Sequence, residues 1–566
     1  MVDRTTPAPA VFVSPSRVSR QPAGYAPGKH PGRSSLVRAS AAPIVLLAAL
    51  FGSPVLAQSR QITVDLERAG APIDRSFNLS VGADYAGTLI RADSLAQLKT
   101  AVDELGFRYV RFHAIFHDDL GTVKVVDGQT VYDWTRLDQL LDALLARRIR
   151  PFVELGFTPT AMATSKQTLF YWKGNTSHPE PRAWAALVDA FVRHARARYG
   201  EAEVRNWFFE VWNEPNLDGF WEKADQKAYF DLFESSARTI KAIDPRLRVG
   251  GPATAGAAWV PELLAFTAAR RVPIDFVSTH TYGVAGGFLD EKGEDDNKLL
   301  TTPEAIVADV RKVRGEIDAT RYRGMPLYFT EWSASYNPRD PVHDSYISAP
   351  YILTKLRATR RLAQGMSYWA YSDLFEEAGP PPTPFHGGFG LMNREGIRKP
   401  AWFAYKYLNA VKGREIATGD DEAIAATQNG ATAVLLWAWR QPPQEVSNRP
   451  FFTKVLPASP DKPADLHFSG LAPGRYRATV RRVGFKANDA HTRYLEMGSP
   501  KDLSTPQLAE LQRLTRDLPE TRTLVHVGRD GRYAMSVKVR TNDAVLVSLE
   551  PANAAPGRAA PGREKR

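Results

Sequence analysis

"NWFFEVWNEPNL", residues 206–217, is an apolar run of about one strand's length that ends on Asn213 and Glu214, immediately before a proline. Runs of this length, rich in Phe, Trp and Val and closed by turn residues, read as buried strands. Seven more follow the same pattern: "SFNLSVGADY" (76–85), "YVRFHAIF" (109–116), "IRPFVELGF" (149–157), "LRVGGPA" (247–253), "IDFVSTHTY" (274–282), "PLYFTEWSA" (326–334) and "MSYWAYSD" (366–373). Amphipathic segments lie between them. "WTRLDQLLDALLARR" (134–148) places Leu137, Leu140, Leu141, Leu144 and Leu145 at helical spacing, the mark of a packing face, and "PRAWAALVDAFVRHARARYG" (181–200) reads likewise. Eight strands alternating with helices predict an α/β fold, a (β/α)8 TIM barrel over residues 73–410.

The texture changes after about residue 410. "TAVLLWAWR" (432–440), "DLHFSGLAPGRYRATVRRVG" (465–484) and "RYAMSVKVRTNDAVLVSLEP" (532–551) alternate like strands between Gly and Pro turns, so residues 411–551 are expected to form a β-sandwich. "RQITVDLERAG" (60–70), within residues 58–72, is expected to join that sandwich. The sandwich can serve as a structural support, a sugar-binding accessory or an oligomer contact. The segment "HTRYLEMGSPKDLSTPQLAELQRL" (491–514) has no role assignable from sequence.

The formal charge of +11 suggests nucleic acid until it is located. Of the 73 basic and 62 acidic residues, ten and two fall in segments 1–57 and 551–566, leaving 63 against 60 elsewhere. The folded part is nearly neutral, and no nucleic-acid partner is expected. The absence of cysteine excludes disulfides, thiolate zinc sites and thiol nucleophiles. "AAPIVLLAALFGSPVLAQS" (41–59) reads as a secretory signal cleaved after about Ala57, with translation starting nearer Val37 as an alternative to the long basic extension. The run is short for a membrane span. Export to the periplasm or medium is therefore expected, without stable membrane association after cleavage. The Ala/Pro/Gly/Arg-rich segment 552–566 is expected to be disordered.

Barrel active sites sit at the C-terminal ends of the strands. The polar residues there are His113 and His117, Asn213 and Glu214, His280 and Tyr282, Glu331 and Trp332, and Asp373. Glutamates on strands 4 and 7 face each other across the mouth, the pair that glycosidic cleavage requires: an acid for the leaving oxygen and a carboxylate for the anomeric carbon. Glu210 faces the same side of its strand as Glu214 but lies ~13 Å deeper, and reads as a partner for a barrel arginine. The histidines fall on separate strands with no local ligand pair, and "VGGPATAG" lacks a phosphate-loop lysine, so neither metal nor cofactor is expected.

"VRFHAIFHDD", "PFVELGFTP", "EVWNEPNLDGFW", "VGGPAT", "DFVSTHTYG", "FTEWSAS" and "DLFEEAGPPPTPFHGGFGLMN", in that order over residues 73–410, resemble glycoside hydrolase family 39, especially its bacterial β-xylosidases. The resemblance implies a retaining mechanism with Glu214 as general acid/base and Glu331 as nucleophile. It also implies that His280 and Tyr282 orient the sugar and the nucleophile, that His113 contacts sugar hydroxyls and that Asn213 binds the 2-hydroxyl. Each has a plainer reading as a structural hydrogen bond. Phe116, Trp221, Trp332 and Phe385 are candidate sugar-stacking walls or ordinary core. Arg111 is expected to satisfy carboxylates in the mouth. Asp373, Glu376 and Glu377 make the rim acidic, which favours neutral xylose over a uronate, with Glu376 the expected hydroxyl contact. The expected activity is release of xylose from β-1,4-xylooligosaccharides. Alternatives are an endo-acting exopolysaccharide glycosidase, an α-L-iduronidase-like enzyme or a non-catalytic carbohydrate-binding protein. A homo-oligomer is compatible with the sequence.

Overall fold

The computed structural model describes residues 59–552. The expected signal segment and the C-terminal tail lie outside them, save for the tail's first residue. Eight parallel strands close into a barrel in chain order: Ser80–Tyr85, Tyr109–His113, Arg150–Leu155, Phe208–Val211, Arg248–Thr254, Phe276–Tyr282, Leu327–Ser333 and Gly365–Tyr368. They are the first to eighth strands below. Each falls on one of the apolar runs read from sequence. Helices cover the outside, among them Thr135–Ala146, which buries Leu137, Leu140, Leu141 and Leu144. Pro181–Tyr199 starts on a proline whose missing N–H costs nothing at that position, and the Glu180 carboxylate accepts from Ala183 N at 2.7 Å.

The lower end of the barrel is plugged by Leu79, Tyr109, Phe152, Phe208, Phe276 and Tyr328, with Phe152 and Phe208 stacked at 4.5 Å. Above this apolar floor the inward positions turn polar: Arg111 and His113, Glu154, Glu210, His280 and Tyr282. Period-two alternation places them there, because their outward neighbours pack against the helices.

Register shifts at Gly82–Tyr85, at Pro252–Thr254 and on the seventh strand break that alternation, and two departures bear directly on the carboxyl pair. Between the sixth and seventh strands Thr279 pairs with Phe329 but His280 pairs with Glu331, so Thr330 is the extra residue of a β-bulge. Thr330 and Glu331 consequently both reach the interior, and Trp332 faces out. After the fourth strand, Trp212 and Glu214 adopt left-handed backbone (φ 69° and 45°), which turns both Asn213 and Glu214 toward the barrel axis. Such conformations cost about 1–3 kcal/mol each. Hydrogen bonds from Trp212 N to Leu155 O (3.0 Å) and Glu214 N to Ala253 O (2.9 Å) hold them.

The C-terminal region is a sandwich. A six-stranded antiparallel sheet, built from 414–416, 423–428, 431–437, 544–551, 474–483 and 521–527, shares an apolar core with a three-stranded sheet. The smaller sheet contains Arg60–Asp65, paired in parallel with Ala464–Ser469. Ile62 and Val64 of that strand are fully buried between the sheets, and Arg60 binds Asp420. The segment left unassigned in the sequence forms helices Ala490–Glu496 and Thr505–Leu514, which pack on Phe385 and Ile397 of the barrel loop after the eighth strand. No helix among the described residues is long and apolar enough to cross a membrane.

Ile62→Ala should lower the unfolding free energy by about 2–5 kcal/mol, because the strand's neighbours cannot collapse into the cavity. Urea unfolding followed by fluorescence measures it, and an unchanged midpoint would remove this strand from the core.

Candidate active site

The site is organised by Arg111 on the second strand, whose side chain has no exposed surface. Its guanidinium donates from Nε to Glu210 Oε2 (2.5 Å), from Nη1 to Glu331 Oε1 (2.7 Å) and from Nη2 to Asn213 Oδ1 (2.8 Å), and Nη2 lies 3.0 Å from Glu154 Oε2. Only a planar, five-donor cation can address so many oxygens at once. The expected partner for Glu210 and the expected ligand of Glu331 are thus the same arginine.

Glu214 and Glu331 are both buried, at 8% and 4% exposure, and with His280 each offers an atom within 4.8 Å of the others. So close a buried pair is consistent with a retaining glycosidase, whose two carboxyl groups stand about 5–5.5 Å apart. Burial raises both carboxyls, but their partners differ. Glu331 accepts from Arg111 on one oxygen and from Tyr282 Oη on the other (2.7 Å). Burial lifts its pKa to about 7 against the downward pull of Arg111, His113 and Tyr282. Burial and then the Glu331 charge push Glu214 well above the usual carboxylate range, and among the described residues its only side-chain hydrogen-bond partner is His280 Nδ1 at 2.9 Å. The proton shared by the pair therefore sits on Glu214, and Glu331 is the anion. The three atoms could in principle face a metal ion, yet both Glu331 oxygens are already engaged by protein donors.

His113 is a cation: burial pulls its pKa down, but Glu154, Glu377 and Glu331 outweigh this and hold it well above 6.5. Its Nδ1 meets Glu154 at 2.7 Å and its Nε2 meets Glu377 at 3.2 Å. His280 is pushed well below 6.5 by burial and by the charges of Arg111 and His113, so it is neutral. Trp369 lies across the floor, 4.7 Å from His113 by ring centroids and 5.7 Å from the Arg111 carbon. It fits because residue 82 is glycine; a Cβ there would stand 2.1 Å from the indole.

Several expected sugar contacts are located elsewhere. Trp332 points outward and packs on Tyr368 at 5.8 Å, since regular alternation resumes after the bulge at Thr330 and puts the residue following inward Glu331 on the other side. Phe116 packs edge-on against Trp184 and Phe191, and Trp221 stacks on His178 at 4.1 Å, all core contacts. Phe385 meets His491 and Tyr494 of the inserted helices. Asp373 is fully buried, 2.8 Å from Lys399 Nζ, and binds no rim. Glu376 pairs with Arg91 at 2.8 Å on the surface, and Glu377 is the acid that turns inward.

Glu154, Trp369 and Thr330 belong to the site without having been singled out from sequence, and Glu377 was read there only as a rim acid. Glu154 shares the inward parity of Phe152 on its strand, a signal available in "PFVEL". Thr330 is concealed by the bulge.

Residues 60–533 match the model of glycosyl hydrolases family 39. A β-xylosidase of Geobacillus stearothermophilus is 36% identical over 84% of this chain and 93% of its own. Among solved structures, a GH39 enzyme from Xanthomonas axonopodis pv. citri superposes with a TM-score of 0.88 at 63% identity, covering 89% of this chain and 99% of the other. A monomeric β-xylosidase from Caulobacter crescentus CB15 superposes with a TM-score of 0.86 at 63% identity, covering 87% and 100%.

Arg111→Met strands three buried carboxylates and should cost about 3–5 kcal/mol. Without the arginine, Glu154 and Glu331 bind protons more tightly in the folded state than in the unfolded chain. The loss should therefore be larger at pH 8 than at pH 5. Urea unfolding at both pH values measures it; a small, pH-independent loss would contradict the assignment.

Proposed function

The chain belongs to glycosyl hydrolase family 39, and from that premise we propose that it is a retaining β-xylosidase releasing xylose from the non-reducing ends of β-1,4-xylooligosaccharides. The observation that carries the mechanism is the close buried pair at the barrel mouth, in which Glu331 is held by Arg111 and Tyr282 while Glu214 meets His280.

Glu331 attacks the anomeric carbon from one face while Glu214 passes its proton to the departing glycosidic oxygen, so the C–O bond breaks as the glycosyl ester forms. With Glu331 neutralised as an ester, Glu214 is an anion without its repulsive neighbour. It takes a proton from water, the water oxygen attacks the anomeric carbon, and Glu331 leaves as carboxylate. Tyr282, kept a phenol by burial and by the Glu331 charge, steadies that leaving carboxylate. Asn213 gives its amide oxygen to Arg111, which leaves its NH₂ to bind the sugar 2-hydroxyl.

Glu377 replaces Glu376 as the expected acceptor for sugar hydroxyls, since one oxygen binds His113 and the side chain is 11% exposed. Glu376 is held by Arg91 on the surface and Asp373 is buried against Lys399, so Glu377, beside His113, is the acid of the three that is placed to meet a sugar. The loop carrying it is tied to three neighbours: Arg91 binds Glu376, Tyr171 N donates to Glu377 O at 2.8 Å, and Arg339 donates to Ala378 O at 2.6 Å. Such bracing favours a closed glycone end over an endo-acting groove. Export through the apolar segment ending at Ala57 is part of the same proposal; N-terminal sequencing of secreted protein tests it.

Turnover of nitrophenyl β-xyloside above all other nitrophenyl glycosides is expected, with β-xylose as the first product by NMR; an inactive xyloside beside clear activity on another glycoside overturns the substrate. Glu331→Ala should abolish turnover. Glu214→Ala should retain slow turnover of activated aryl xylosides that azide accelerates, giving a β-xylosyl azide; failure of rescue with inverted product overturns the roles.

The kcat/KM profile should be bell-shaped, rising as the pair loses its first proton and falling as it loses the second. Tyr282→Phe removes a donor that favours ionised Glu331. Its acid limb should therefore move to higher pH; a limb that stays or moves down would sink this account.

A further inference from the structure

A buried polar chain runs behind the catalytic pair. Thr330 Oγ1 donates to Glu210 Oε1 at 2.8 Å and stands 3.2 Å from His280 Nε2, while His280 Nδ1 lies 2.9 Å from Glu214 Oε1. Thr330 reaches this position only because the bulge turns it inward beside Glu331. Counting protons fixes the direction of every bond. Glu210, ion-paired to Arg111, is acceptor-only, so it takes the single Thr330 hydroxyl proton. Thr330 can then only accept from His280, which places the imidazole proton on Nε2. His280 is buried and has the cations Arg111 and His113 as neighbours, which disfavour a second ring proton. Its Nδ1 therefore presents a lone pair, and the atom facing it belongs to Glu214.

We propose that Thr330 is a positioning residue that locks His280 in the Nε2–H tautomer, so that Nδ1 accepts the Glu214 proton and holds Glu214 in its acid form. The inference rests on Glu214 being the general acid/base. Once Glu214 has given its proton to the leaving oxygen, its carboxylate faces a lone pair instead of a donor. That contact is unfavourable, so the carboxylate is driven to recover a proton from water in the second step. The opposite tautomer would donate to the carboxylate and stabilise it as an anion, weakening both steps.

The other groups around this contact are Glu331 on the seventh strand, Tyr282 on the sixth, Arg111 and His113 on the second, Glu154 on the third, Glu210 and Asn213 at the fourth and Glu377 after the eighth. None of them is altered chemically when residue 330 alone is changed, although Glu210 Oε1 loses the Thr330 donor.

In Thr330→Val the Nε2 proton has no acceptor, so the ring should switch to Nδ1–H and donate to the Glu214 carboxylate. Donation to the charged form lowers the Glu214 pKa. The alkaline limb of kcat/KM should move down by about one pH unit or more. Xylobiose, whose leaving group needs a proton, should lose about tenfold more rate than dinitrophenyl xyloside, which needs none. Thr330→Ser, which keeps the hydroxyl, should restore both. An unmoved or upward-moving limb, or equal losses on the two substrates, overturns the proposal. If the valine variant does not fold, long-range ¹H–¹⁵N spectra of the unaltered protein at pH 6 read the tautomer directly, the His280 signals being identified by their absence in His280→Gln. A bare Nδ1 with a protonated Nε2 is expected; an Nδ1–H tautomer or an imidazolium overturns it. The spectrum does not depend on the role of Glu214, which azide rescue tests separately.

Discussion

A fully buried guanidinium at the centre of the barrel sets the terms for everything above it. Arg111 carries one positive charge into a region with three carboxylates within hydrogen-bonding or ion-pairing distance. Removing such groups from water is costly, and only dense mutual pairing makes the arrangement tolerable. One arginine cannot neutralise Glu154, Glu210 and Glu331 by itself. His113 supplies the second cation by keeping its proton, and it does so because Glu154 and Glu377 flank it. Two cations still face Glu154, Glu210, Glu331 and Glu377, so a charge on Glu214 would add to an existing negative excess. The acid form of Glu214 is thus a property of the whole cluster, and the apolar floor beneath it keeps water from relaxing the constraint.

A regular strand offers the interior every second residue, and this site needs more. Asn213 and Glu214 are adjacent and both face inward; so are Thr330 and Glu331. Left-handed backbone solves the first case and a β-bulge the second. Both departures occur on the two strands that carry the close carboxyl pair, and nearby backbone hydrogen bonds stabilise the strained residues. Regular geometry would have left one member of each pair among the helices. Deviations at the open ends of strands are therefore what brings Glu214 and Glu331 together beside His280, each offering an atom within 4.8 Å of the others.

The barrel was legible because each strand is a short apolar run bounded by helical periodicity, and the eight runs coincide with the eight strands. Glu214 and Glu331 stood out as carboxylates at the ends of such runs, where packing gives no reason for them. The aromatic residues stayed open between sugar wall and core because tryptophan and phenylalanine serve cores as readily as sugars, and their packing partners are core residues. For Trp332 the parity with Glu331 already argued against a pocket position. Asp373 looked like rim chemistry because its partner, Lys399, lies in a different segment of the chain, and pairing across such a gap leaves no local pattern. Glu376 and Glu377 are neighbours of identical chemistry. Which one turns inward depends on Arg91 from another loop and on His113, neither of which adjacency in sequence encodes.

The sandwich acquires a function from the same reasoning. Its inserted helices, Ala490–Glu496 and Thr505–Leu514, bury Phe385 and Ile397 of the loop that carries Glu377. Within that loop Lys399 binds Asp344, Asp373 and the Gly388 carbonyl without any exposure of its own. A long loop held only by surface contacts would sample many conformations, and an inward glutamate on it would be poorly placed to meet a sugar hydroxyl. Here one side of the loop is anchored by a buried ion pair and another by apolar contact with the second domain. The sandwich's inserted helices thus cover from outside the loop that turns Glu377 inward.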